Sequence, residues 1–99
     1  MTVKHIVLIK LKAGADGERL MKQIEALKDA IPQVQSVQLG VGFSPARDKG
    51  FTHGLAMTFK NREDLQIYNV AEAHVNLVKN DLVPVADDLL VFDYDIVEF

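Results

Sequence analysis

Ninety-nine residues, 48% apolar and 25% charged with a net charge of −3, suit one globular domain spanning residues 1–99. The eleven basic residues are spread thinly and leave no electrostatic footprint for nucleic acid or an anionic membrane surface. The absence of cysteine excludes disulfides and thiol catalysis, and no apolar run approaches the roughly 20 residues of a membrane helix.

The first residues read as a strand rather than a basic, apolar leader, so a cytoplasmic location is expected. In that strand Val3, Val7, Ile9 and Leu11 alternate with Lys4, Lys10 and Lys12, while Ile6 and Leu8 make the middle of the other face apolar too. It is therefore expected to be covered on both sides. After the Gly14–Gly17 break, Leu20, Ile24, Leu27 and Ile31 form the stripe of a helix lying on a sheet, and Pro32 stops it. Val34, Val37, Leu39, Val41 and Phe43 predict a second strand, with Gly40 and Gly42 on its opposite face. A loop at Ser44–Gly50 follows.

The third strand sets Phe51, His53, Leu55, Met57 and Phe59 against the small Thr52, Gly54, Ala56 and Thr58. Asn61, three residues before Asp64, has the spacing of a helix cap, and Leu65 and Tyr68 continue a helical face. From Ala71 to Asp88 the residues His74, Leu77, Val78, Leu82 and Val85 keep helical spacing, which Pro84 must end or kink. Leu89–Phe99 is the last strand.

The order β-α-β-β-α-α-β is an α+β, ferredoxin-like plan, and right-handed crossovers give an antiparallel sheet ordered 4-1-3-2 with the helices on one face. The other face carries Ile6, Leu8 and the small residues of the third strand, so a second copy's sheet is its simplest cover. A chain this short buries only roughly 60–65% of the surface that its unfolded form exposes, which makes a homodimer through sheet faces physically attractive.

Three segments, VKHIVLIKLK, KGFTHGLAMTFKNREDLQIYNVAEAHV and LLVFDYD, with the spacing Tyr-x5-His at Tyr68 and His74, resemble the Dabb family of stress-responsive dimeric A/B barrels. The resemblance runs over nearly the whole chain and extends to plant polyketide cyclases within that family. It implies a dimeric α+β barrel. In the cyclase pattern the residues matching His74 and Tyr68 serve aldol cyclisation: the histidine removes a proton next to a carbonyl, and the tyrosine hydrogen-bonds the substrate. Six residues apart, they meet only if the chain turns near Val70–Glu72.

A ligand pocket is expected between the helices and the odd-numbered sheet face, lined by His5, Val7, Ile9, Ile24, Leu55 and Leu77. Asp93, from the closing FDY, is the candidate for orienting an imidazole, although strand alternation leaves open whether Asp93 or Tyr94 faces the pocket. His5 and His53, placed at opposite ends of antiparallel neighbours, are expected roughly 20 Å apart and not to share a metal.

The chain departs from the cyclase pattern along the first helix, where Leu20, Met21 and Ile24 stand in place of aromatic residues. It departs again before Ala73 and His74, where Ala71 and Glu72 replace histidine-proline. No cofactor is implied, and a single His74 is weak support for the heme chemistry found on related barrels. The alternative to an enzyme is a non-catalytic homodimer, either ligand-binding or stress-associated.

Overall fold

In the computed structural model, which describes residues 1–99, the strand β1 (Val3–Leu11) is hydrogen-bonded along both edges. It runs antiparallel to β3 (His53–Phe59) on one side and β4 (Ala86–Asp95) on the other, and β2 (Ser36–Val41) pairs with the far edge of β3. The order 2-3-1-4 is the expected 4-1-3-2 read from the opposite edge. Four helices, α1 (Gly17–Glu25), α2 (Leu27–Ala30), α3 (Arg62–Val70) and α4 (Glu72–Leu77), complete the ferredoxin-like plan.

The register decides which side chains meet. His5 lies opposite Met57 and Asp93, and Val7 opposite Leu55 and Val91, so odd-numbered residues of three strands share one face. On that face Val3, Val7, Ile9, Leu55, Met57 and Phe59 are buried against Leu20, Ile24, Leu27 and Ile31, the stripe read from the sequence. The Asp16 carboxylate accepts a hydrogen bond from the Arg19 amide at 3.0 Å, and the Asn61 side chain accepts one from the Asp64 amide at 2.8 Å, so both main helices are capped.

Several boundaries differ from the sequence reading, each for a local reason. The first helical segment is interrupted at Ala26, and Ile31 is already extended at φ −125°, ψ 103°, as a residue before proline must be. β2 stops at Val41, leaving Phe43 outside the strand and 92% exposed. β3 begins at His53, because Lys49 and Gly50 turn the chain through positive φ and the Phe51 amide closes that turn onto the Asp48 carbonyl at 3.1 Å.

Beyond α4 the helix widens into a π turn at Val78–Leu82 and tightens into a 3₁₀ turn at Val83–Val85, where Pro84 can neither donate nor continue the spiral. β4 consequently starts at Ala86, three residues before the expected Leu89. It ends at Asp95, the partner of Val3 at the start of β1, with one further backbone bond from the Ile96 amide to the Thr2 carbonyl at 2.8 Å. The pairing passes from Lys10↔Asp88 to Leu11↔Ala86, which leaves Asp87 as the extra residue of a bulge.

The opposite face of the sheet has no helix over it. Ile6 and Leu8 are half-buried there, and Leu90, Phe92 and Tyr94 are exposed. No helix is long and apolar enough to cross a membrane.

Two substitutions separate the local from the packing contributions. Asn61→Ala should cost about 1 kcal/mol by removing the cap of α3, whereas Met57→Ala, at a fully buried site, should cost about 2–5 kcal/mol. Urea midpoints at equal slope test both, and equal losses would contradict the assignment.

Candidate functional site

The end of α3 builds the site. A helix leaves its last four carbonyls without intrahelical donors, and here Ala71 swings to φ −61°, ψ 136° before α4 begins at Glu72. The turn carries His74 back over the end of α3, where its Nδ1 donates to the Asn69 carbonyl at 3.0 Å. The His74 and Tyr68 rings then lie 4.3 Å apart between centroids, tilted by 38°. Two residues that no single helical repeat would bring together are thus in contact.

Tyr68 also packs against Phe59 of β3 at 5.1 Å and against His5 of β1 at 5.7 Å, edge-on to the latter. The His5, Tyr68 and His74 rings line a cavity of about 230 Å³ between the helices and the odd-numbered sheet face. Of the residues expected to line it, His5, Val7, Ile24, Leu55 and Leu77 do so, together with Tyr68 and His74. Ile9 does not: two positions beyond Val7, it is packed in the hydrophobic core.

Asp93 lies outside the cavity wall, directly across the strand pair from His5, and its carboxylate accepts from His5 Nδ1. The register therefore settles the choice between Asp93 and Tyr94, placing Asp93 on the helix side of β4. It serves His5 and not His74, whose orienting group is the Asn69 carbonyl.

Sequence reasoning missed Leu27, Asn69, Val78, Leu82, Leu89 and Val91 as lining residues. For Asn69 the only available signal was its place next to the end of α3, where a free carbonyl awaits a donor. For Leu89 and Val91 it was the unknown parity of β4.

His53 is offset from His5 by four positions along the sheet, being opposite Ile9, which is about 14 Å rather than roughly 20 Å. Its Nδ1 bonds Thr52 Oγ1 at 2.8 Å, and a Cβ at Gly17 would come within 2.6 Å of its Nε2. A side chain at position 17, where α1 begins, would require that imidazole to move.

Burial sets the protonation of the two contacting rings. Desolvation pushes the Tyr68 phenol well above its ordinary value, so it remains a proton donor at physiological pH. His74 is held below the ordinary 6.5, first by burial and further by the nearby His5, against the opposing pull of the Asn69 carbonyl. A neutral imidazole with Nδ1–H engaged carries its lone pair on Nε2.

Comparison with known proteins agrees with this architecture. The model of the stress-responsive A/B barrel domain matches residues 3–96. Olivetolic acid cyclase of Cannabis sativa is 31% identical over 99 residues, covering 95% of this chain and 96% of that protein. A stress-response A/B barrel domain-containing protein of Arabidopsis thaliana is 32% identical over 96 residues, or 93% of this chain, which spans only 36% of that longer protein. Among solved structures, At3g17210 of Arabidopsis thaliana superposes with a TM-score of 0.90 at 28% identity, over 98% of this chain and 97% of that one. A Bacteroides fragilis protein described as dimeric and ferredoxin-like gives 0.76 at 25% identity, over 96% of each chain. The chain belongs to the stress-responsive A/B barrel, or Dabb, domain family.

Proposed function

We propose that residues 1–99 form one Dabb domain that dimerises through its open sheet face and acts on a small carbonyl compound in the cavity, in the manner of a polyketide cyclase. The observation that carries this reading is the contact between the Tyr68 and His74 rings in an otherwise largely apolar cavity, with the His74 tautomer fixed by Asn69. His74 Nε2 takes a proton from the carbon next to a carbonyl. The Tyr68 hydroxyl donates to the oxygen on which enolate charge collects, and the carbanion closes a ring on a second carbonyl. Val7, Leu55 and Leu77 supply the apolar surface that holds the rest of the molecule.

The similarity to olivetolic acid cyclase supports this chemistry over nearly the whole of both chains. A cavity of about 230 Å³ lies below the usual range for drug-sized ligands and favours a compact substrate. The dimer draws support from the exposed Leu90, Phe92 and Tyr94 beside Ile6 and Leu8, and from the solved relatives described as dimeric.

Leu8→Lys should convert the dimer to monomer or aggregate, because burying a charge without a partner costs several kcal/mol. Sedimentation showing an unaltered dimer would rule that interface out. On a panel of linear polyketide-like ketones, His74→Ala should slow turnover by about 10²- to 10⁴-fold while ligand affinity by calorimetry stays near wild type; Tyr68→Phe should also slow it. Binding without product in the wild type would instead favour a non-catalytic binder.

The pH profile supplies an independent check. Because the fold lowers the His74 pKa, the base stays neutral until the pH falls below the ordinary 6.5, so the acid limb of kcat should lie below that value. A limb above 6.5 would contradict His74 as the base.

A further inference from the structure

His5 is the one buried polar residue of the core, at 5% exposure. Nδ1 is bound to Asp93, while the ring lines the cavity beside Tyr68. The Asp93 side chain is 38% exposed and also lines a separate outer cleft of about 290 Å³ next to Arg62 and Asp95. Arg62 is occupied by Asp95, to which its Nε donates at 3.1 Å, so the carboxylate of Asp93 is left to His5 and to water. Facing His5 from the remaining elements are Met57 and Phe59 of β3, Tyr68 of α3 and, through Tyr68, His74 of α4.

We propose that His5 and Asp93 form a proton relay across the sheet, connecting the cavity with solvent in the outer cleft. The two nitrogens of an imidazole lie on different edges of the ring, so it can accept a proton at one and release another at the other without moving. With Nδ1–H on Asp93, His5 Nε2 carries the lone pair. A proton accepted at Nε2 sends the Nδ1 proton to the Asp93 carboxylate and from there to water; the reverse steps bring one proton in and restore the starting tautomer. The relay gives the proton that His74 removes from carbon an exit, and gives the alkoxide left by ring closure a source, so each turnover balances at one proton out and one in. Asp93 acts through His5 and is a positioning and proton-accepting residue, not one that touches the substrate.

The inference rests on His74 as the base, and the test keeps the two apart. The probe is heptan-2-one in deuterium oxide, with exchange of the hydrogens next to its carbonyl followed by proton NMR. His74→Ala should stop protein-dependent exchange. His5→Gln and Asp93→Asn should each slow it about tenfold or more. Asp93→Asn is the informative change: the amide oxygen it introduces still accepts from Nδ1 but cannot take the proton. Exchange within about twofold of wild type in Asp93→Asn, with His74→Ala inactive, would overturn the relay and leave the base in place.

If wild type itself exchanges nothing, the base assignment fails for this ketone, and long-range ¹H–¹⁵N spectra at about pH 8 judge the relay separately. They should show His5 protonated at Nδ1, with that proton exchanging with water faster in wild type than in Asp93→Asn. An Nε2-protonated His5, or equal exchange rates in the two proteins, would overturn it.

Discussion

The register of β1 is the constraint on which everything else in this fold depends. It pairs with β3 over Val3–Ile9 and with β4 over Val3–Leu11, and a slip of one residue against either neighbour would send His5, Val7 and Ile9 to the helix-free face. The hydrophobic cost of exposing Val7 and Ile9 fixes that register, and the same register places Asp93 opposite His5. A polar contact that would be weakly specified by its own energy is thereby held by the burial of its apolar neighbours along the strand.

The second organising feature is an ending. α3 stops at Val70, where the Ala71 amide closes onto the Tyr68 carbonyl at 3.1 Å, and a buried carbonyl without a donor is costly. The imidazole of His74 donates to the Asn69 carbonyl, so one hydrogen bond both engages the end of the helix and selects a tautomer. Burial then keeps that imidazole neutral and keeps the neighbouring phenol protonated. Two opposite roles, acceptor and donor, arise from a single physical effect acting on an acid and on a base.

Much of this was legible in the chain. The period-two pattern of Val3–Leu11 and of Phe51–Phe59, the helical stripe through Leu20 and Ile31 and the Asn61 cap suffice for the layers and the strand order, because they are local patterns tied to one face each. What was not legible depends on pairings between distant segments. The parity of β4 is set by its register against β1, so neither the orientation of Asp93 nor the contribution of Leu89 and Val91 could be read from alternation alone. Ile9 shows the same limit from the other side: sharing a face with Val7 says that a residue is inside, not whether it meets packed atoms or open space. The turn at Ala71 was required by the Tyr68–His74 spacing but carries no proline or glycine to announce it.

The edges of the sheet carry one more consequence. β4 is ten residues long, lies at an edge and contains the run Leu-Leu-Val-Phe, which is the composition of a strand that recruits further strands. The bulge at Asp87 interrupts its ladder near one end, and Asp93 and Asp95 place negative charge at the other, so the flat apolar stretch is confined to Leu89–Phe92. Four residues fall short of the six or seven that a stacked cross-β assembly uses. The strand that closes the fold is thus apolar enough to pack, yet too interrupted to serve as a template for uncontrolled growth.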